Sequence, residues 1–279
     1  MELINASSLK KRLLLVDGHA VAFRCWFASD SQSVVTGFME HLVDAIEDHN
    51  PSHLIIAFDP PPPTFRHDIY PGYKANRPPV PEEFLEECSE LLVTLDSMAI
   101  THYQVDGYEA DDVLGTLAKA ASASGFFTTI ITCDLDLVQL VSDNILVEIF
   151  SQYWPTRTFD LEVARARFGG IEPRRIPDFK GLVGDRSDNL PGVKGIGEVA
   201  AKAILHGDDS LEVVFNKLDQ IAELPFRGSK RVSRLLSENK DEAFKMRMLA
   251  TIVQNVPMQF DIERATCDGI SQTLEDWLE

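Results

Sequence analysis

Residues 54–59 read Leu54-Ile55-Ile56-Ala57-Phe58-Asp59, a compact apolar run closed by an acid. The pattern recurs at Leu13–Val16 followed by Asp17, and at Thr128–Thr132 followed by Cys133, Asp134 and, two residues on, Asp136. Apolar or β-branched runs this short read as buried strands. Between the first two, Val35, Phe38, Met39, Leu42, Val43 and Ile46 fall at helical spacing, which predicts a helix over residues 34–47. A second helix is expected at about 110–122, just before the third strand. Strands that alternate with helices need crossover connections, so the expected fold is α/β: a mostly parallel central sheet with helices on both faces. Ligands of such sheets bind at the carboxyl ends of the strands, where Asp17, Asp59 and Asp134 would meet. One Asp after a strand is ordinary turn or capping chemistry. Three on three core strands point to a site.

The chain has 279 residues, near the upper limit for one core, and its 44% apolar and 25% charged content is that of a globular protein. The longest apolar runs are too short to span a bilayer, and no secretory leader pattern opens the sequence. Four scattered cysteines (Cys25, Cys88, Cys133, Cys267) form no CxxC pair, which excludes a sequence-evident zinc site and suits a reducing cytoplasm. Against 26 bases stand 44 acids, a formal net charge of −18. That sum argues against nucleic acid, but the distribution is polarised. Residues 82–112 hold ten acids and no Lys or Arg, whereas residues 227–247 hold seven bases against three acids.

Two further segments carry chemistry. Residues 106–112 read DGYEADD and place Glu109, Asp111 and Asp112 at the start of the second helix. Carboxylates there complement the helix dipole, yet three within four residues repel one another, which leans towards a bound cation. Beyond about Ile171 the chain turns to helices and glycine-rich turns, and the hairpin Pro191–Gly197 reads as a tight turn between two helices. Its glycines allow close backbone approach, and exposed N–H groups can hold a phosphate without reading its base. No strand precedes the hairpin, which disfavours a dinucleotide site. The same stretch adds Asp185 and Asp188. The candidate ligands are then Asp17, Asp59, Glu109, Asp111, Asp112, Asp134, Asp136, Asp185 and Asp188. An all-oxygen set favours Mg²⁺ or Mn²⁺, and so many carboxylates can hold two ions for attack on a phosphate ester.

Taken together the motifs VDGH (16–19), FRHDIYPGYKANR (65–77), DGYEADD (106–112), TCDLDLVQL (132–140) and GDRSDNLPGVKGIG (184–197) resemble the 5′-nuclease family. That family comprises the 5′→3′ exonuclease domain of bacterial DNA polymerase I, its free-standing bacterial and phage relatives, and flap endonucleases. The resemblance runs from about Leu13 to Ile204, more loosely to about residue 260. It implies a PIN-like nuclease core over residues 1–170 with a helical arch at about 68–100, and a helical region over 171–279 with a helix–three-turn–helix module at about 178–205. By the same resemblance Asp59, Glu109 and Asp111, with Asp17 nearby, serve one metal, Asp134, Asp136, Asp185 and Asp188 a second, and Asp112 lies close to both. The implied reaction is hydrolysis of a DNA phosphodiester by a metal-activated hydroxide, leaving a 5′-phosphate, in replication and repair. Lys74 and Arg77 are implied as the catalytic cations. Arg24 and Arg66 would hold phosphate oxygens, and Tyr73 would stack on an unpaired base or pack beneath the arch. Gly192, Lys194, Gly195 and Gly197 would grip duplex backbone, and K⁺ would sit on the main-chain carbonyls of Leu182, Val183, Pro191, Val193 and Ile196. The implied partner is DNA with a 5′ flap, nick or free 5′ end, bound by a monomer in the cytoplasm near the nucleoid, with no membrane role.

Two positions depart from the family pattern. Leu135 stands where relatives often carry Lys, and the Ser29–Thr36 loop is shorter than the one that carries an apolar wedge in polymerase I domains. No polymerase domain follows Glu279, and the expectation is either a free-standing enzyme or an excised domain. A nuclease-like fold that binds branched DNA with weakened catalysis is the alternative, and the complete set of nine acids argues against it.

Overall fold

Six strands form one sheet in the order β3-β2-β1-β4-β5-β6 in the computed structural model, which describes residues 11–28, 33–150 and 155–279. They are β1 (Arg12–Asp17), β2 (His53–Phe58), β3 (His102–Gln104), β4 (Phe127–Thr132), β5 (Ile145–Ile149) and β6 (Arg157–Phe159). All neighbours pair in parallel except β5 and β6. The three strands expected from sequence are β2, β1 and β4, adjacent in the sheet and each paired on both sides. Their apolar content follows from burial on both faces.

Thirteen helices accompany the sheet among the described residues: α1 (Gly18–Ala28), α2 (Val34–His49), α3 (Phe65–Ile69), α4 (Glu82–Ser97), α5 (Ala110–Ala123), α6 (Leu161–Arg167), α7 (Ile176–Val183), α8 (Glu198–Ile204), α9 (Leu211–Asn216), α10 (Leu218–Ala222), α11 (Ser229–Glu238), α12 (Lys240–Ala250) and α13 (Ile270–Leu278). None is long and apolar enough to cross a membrane. Alternate residues of the central strands enter two cores. Leu14, Val16, Leu54, Ile56 and Phe58 pack with α1, α2 and α4. Leu13, Leu15, Ile55, Ala57 and Ile130 pack with α5, and that core continues through Ile176, Leu182 and Val193 into the C-terminal helices.

Local chemistry sets the element ends. Ser33 caps α2, its hydroxyl accepting from Thr36 N at 3.2 Å, and Asn50 closes the helix in the left-handed region at φ 42°. Helix α12 crosses α7 closely at Gly181, where an added Cβ would stand 2.7 Å from the Ala243 carbonyl.

The arch expected at residues 68–100 is largely absent in that form. Helix α4 buries Phe84, Cys88, Leu91 and Leu95 in the first core and turns Glu82, Glu83, Glu86 and Glu90 to solvent. Only residues 70–81 stand outside regular structure between α3 and α4. The apolar face of α4 binds it to the sheet, and the acidic run is its outer side. Residues 29–32 of the short loop lie outside the described residues.

Candidate metal centre

Strand order reverses between β1 and β4, since the chain builds outward through β2 and β3 before returning to the other side of β1. Such a switch point opens a crevice at the carboxyl ends of the strands. Asp17 ends β1, and its carboxylate accepts from Ala20 N at 3.0 Å and from the Thr132 hydroxyl at 2.7 Å. Burial, and then the nearby Asp59, push its pKa up to about 7. Asp59 follows β2, its Oδ1 accepting from Ala110 N at 2.7 Å. The Asp59 backbone N–H donates to His19 Nδ1 at 3.0 Å. Burial lowers the pKa of His19 despite Asp59, which suits a neutral ring accepting there.

Asp111 and Asp134 face the same crevice. Burial and the charges of Asp134 and Asp17 hold Asp111 well above the ordinary carboxylate value. Asp134 is raised mainly by burial, although Lys180 and Lys74 pull the other way. Its Oδ1 accepts from Asp136 N at 2.8 Å. Opposite stand Asp136, Asp185 and Asp188, which offer oxygens that all lie within 4.8 Å of one another. Lys180 Nζ bridges Asp136 and Asp185. Burial raises Asp185, but Lys180 and Ser187 more than offset it and hold the group below its ordinary value.

The turn of residues 70–77 closes the site. Lys74 sits at φ 53°, a strained region for a side chain with a Cβ, and its N–H donates to the Asp188 carbonyl at 3.0 Å. Its Nζ donates to Glu109 Oε1 at 2.8 Å. Burial raises Glu109, but Lys74 and Arg66 outweigh it and lower the pKa. Arg77 Nη2 reaches Asp188 Oδ1 at 2.9 Å. Asn189 Nδ2 donates to Gly72 O at 2.6 Å and Asn76 Nδ2 to Arg186 O at 2.7 Å, so the turn is fastened to the loop that carries Asp185 and Asp188.

Two expected roles need correction, and Tyr73 takes the packed one of its two expected places. Arg66 is 3% exposed and grips Asp112 with both guanidinium arms, at 2.6 and 2.8 Å. It also donates to the carbonyls of Leu249 and Thr251, and this leaves no route to a phosphate. Asp112 is fully buried, and besides Arg66 it accepts from Glu109 N and Val253 N, so it belongs to the scaffold beneath the crevice. Tyr73 is 2% exposed and its hydroxyl donates to Glu109 at 2.9 Å and Asp188 at 3.1 Å, which rules out base stacking from this position. Arg24 lies over the Phe150 ring, 5.1 Å from its centroid.

Gly184 and Gly192 cross so tightly that a Cβ on Gly192 would meet Gly184 N at 2.2 Å, and both have positive φ. Val183, Pro191, Val193 and Ile196 line one depression beside that crossing. Leu182 lies below it, its carbonyl accepting from Val193 N at 2.8 Å. Among the described residues no acceptor takes the backbone N–H of Lys194, Gly195 or Gly197. Sequence reasoning missed Lys180, whose signal was its place one helical turn before Gly184 and five residues before Asp185. Leu135 packs on the core, so the cation between Asp136 and Asp185 comes from α7.

The donor set fits hard divalent cations. It offers oxygens only, and burial raises Asp17, Asp111 and Asp134 above the ordinary carboxylate value, so a bound cation would favour their charged forms. A doubly wound sheet with an acidic switch point, roofed by a lysine-bearing turn and flanked by a glycine hairpin, defines the class: a doubly wound α/β fold joined to a helical module. Residues 12–169 match the N-terminal, resolvase-like domain of 5′–3′ exonucleases, and residues 171–273 match their C-terminal SAM fold. The chain belongs to the 5′–3′ exonuclease family. DNA polymerase I of Chloroflexus aurantiacus is 41% identical over 266 residues, covering 91% of this chain and 27% of the relative. DNA polymerase I of Bacillus subtilis is 35% identical over 272 residues, covering 94% and 30%. The chain thus spans less than a third of the length of these relatives. A structure of T5 5′-exonuclease with bound zinc superposes with a TM-score of 0.69 at 20% identity, covering 96% of this chain and 100% of that one. The catalytic core of Rad2 in complex with DNA substrate gives 0.59 at 17% identity, covering 93% and 83%.

Proposed function

We propose that the chain hydrolyses DNA phosphodiesters at 5′ ends and flaps, leaving 5′-phosphates, with Mg²⁺ or Mn²⁺ as the divalent cofactor. The observation that carries this is the meeting of strand-end and hairpin carboxylates at one crevice under Lys74. Asp17, Asp59, Glu109, Asp111 and Asp134 would hold one ion, and Asp136, Asp185 and Asp188, with Asp134 shared, a second. Divalent ions bound there supply an activated water at neutral pH and neutralise charge on the phosphate. Lys74, positioned by Asp188 and Asn189, places an ammonium against the charge that develops on the scissile phosphate. Arg77 holds Asp188 and offers its exposed guanidinium to a neighbouring phosphate oxygen. Backbone N–H groups of Lys194, Gly195 and Gly197 take duplex phosphates at the hairpin. K⁺ would rest on the carbonyls of Val183, Pro191, Val193 and Ile196, with Leu182 contributing its second lone pair. Residues 1–170 carry the nuclease core and 171–279 the helical region, and one copy of the chain is proposed to act on a nick, flap or free 5′ end.

Cleavage of an end-labelled 5′-flap duplex, with Mg²⁺ and K⁺ against an EDTA control, tests the reading. Metal-dependent release of the flap is expected. DNA that binds but stays intact with both Mg²⁺ and Mn²⁺ would overturn the catalytic assignment.

A further inference from the structure

The basic stretch at residues 227–247 has no part in the centre described above. Helix α11 buries Val232 and Leu236, and on its opposite side exposes Lys230, Arg231 and Arg234, with Arg227 just before its start. A chain with 44 acids and 26 bases can pair its surface cations readily. It does so at Arg165 with Glu172, Arg174 with Asp208, Lys202 with Glu198 and Lys217 with Asp209. Among the described residues, however, no carboxylate lies within ion-pair distance of Lys194, Arg227, Lys230 or Arg231. Arg234 has only the exposed Glu238, at 3.8 Å on its own helix. Like charges three and four residues apart disfavour a helix, so the stability of α11 does not explain the arrangement.

Placement supplies the occupant. Arg231 lies against the glycine hairpin: a Cβ on Gly195 would stand 2.8 Å from Arg231 Nη2 and 3.3 Å from Leu235 Cδ1. The free cations of α11 therefore continue directly from Lys194 and the unpaired N–H groups of the turn. We propose that the outer face of α11 is a second backbone-binding surface, on which Arg227, Lys230, Arg231 and Arg234 hold phosphates of the same duplex beyond those gripped by the hairpin. The proposal rests on the DNA-binding part of the function proposed above. A helix of 10 residues is about 15 Å long, and phosphates of one strand recur about every 3.4 Å along the duplex axis, so the face extends the grip by about four base pairs.

The test uses the full chain and a triple variant, Lys230→Ala, Arg231→Ala and Arg234→Ala, with duplexes that carry a 5′ overhang. One duplex arm is long, and a series is trimmed from its far end. Wild type should lose affinity when trimming removes the last few base pairs the protein covers. On the long arm the variant should bind at least about tenfold more weakly at low salt, with the slope of log affinity against log salt reduced by about 2 to 3. On the short arm variant and wild type should agree, and single-turnover cleavage at saturating DNA should be unchanged. Equal affinity and slope for the two proteins on the long arm would overturn the proposal, as would an equal loss on both arms or a loss confined to single-stranded DNA. Wild type that binds without cutting would undo the catalytic reading instead, and the arm-length comparison would still decide the role of α11.

Discussion

Two groups of carboxylates share one crevice under opposite electrostatic conditions. On the sheet side Asp17, Asp111 and Asp134 are raised above the ordinary carboxylate range by burial and by one another. Across from them Glu109 and Asp185 are lowered, because Lys74 and Lys180 lie against them. The lysines thus hold down the two carboxylates they touch, whereas Asp188, three residues after Asp185, is raised by burial although Lys74 and Arg77 pull the other way. A divalent cation held there would supply the counter-charge that the raised carboxylates lack.

The strongest way to break this comparison is to remove one member of each half. Asp134→Ala and Asp185→Ala should each slow flap cleavage at least about a thousandfold, several kcal/mol of activation free energy, while DNA binding stays measurable. Turnover retained by both variants would dissolve the site. Asp112 belongs to neither half, because its charge is met inside the scaffold by Arg66. Removing that partner leaves a buried carboxylate uncompensated, so Arg66→Ala should lower stability by about 3–5 kcal/mol in urea unfolding. A change below about 1 kcal/mol would return Arg66 to a surface role.

Lys74→Ala separates chemistry from binding on the lysine-bearing half. Its single-turnover rate should fall by about 10²–10³, with DNA affinity changed less than about threefold. Matching losses in both would make Lys74 a positioning contact. The smallest effect sharpens the sheet side. With a folded pKa of about 7 against an ordinary 3.8, Asp17 holds a proton in the native state that the unfolded chain has released. Metal-free stability contributed by this group therefore falls as pH rises from about 4 to 7. Asp17→Asn removes that fall, so the metal-free variant should exceed wild type by about 1–3 kcal/mol at pH 7.5, with the gap closing towards pH 4. A gap that does not change with pH would mean that Asp17 is already ionised without metal.

The parts of the molecule differ in how openly their residues announce them. Strands β1, β2 and β4 are paired on both sides, so continuous apolar runs mark them, and each run ends at the acid it delivers. Strands β3 and β6 are short and lie at the edges, β5 breaks its apolar run at Glu148, and all three take their place from pairing that no local window contains. The acids were legible as types at strand ends and helix starts. The fates of Arg66 and Asp112 were not, because Leu249, Thr251 and Val253 arrive well over a hundred residues later to enclose them. Lys180 was obscured for a related reason, since its meaning depends on how α7 is rotated against the sheet.

The return of the chain to β2 bears on how the protein is made. Leu54 N donates to the Ala265 carbonyl at 2.8 Å, Cys267 N donates to Ser52 O at 3.0 Å, and α13 then lays Leu274 in the core beside α2. The flank of a strand begun at His53 is therefore completed by residues more than two hundred positions downstream. At a synthesis rate of about 5–20 residues per second, that interval lasts roughly 10–40 s on the ribosome. Through that time the central sheet waits with an open flank, and the C-terminal segment acts as the latch that ends the wait.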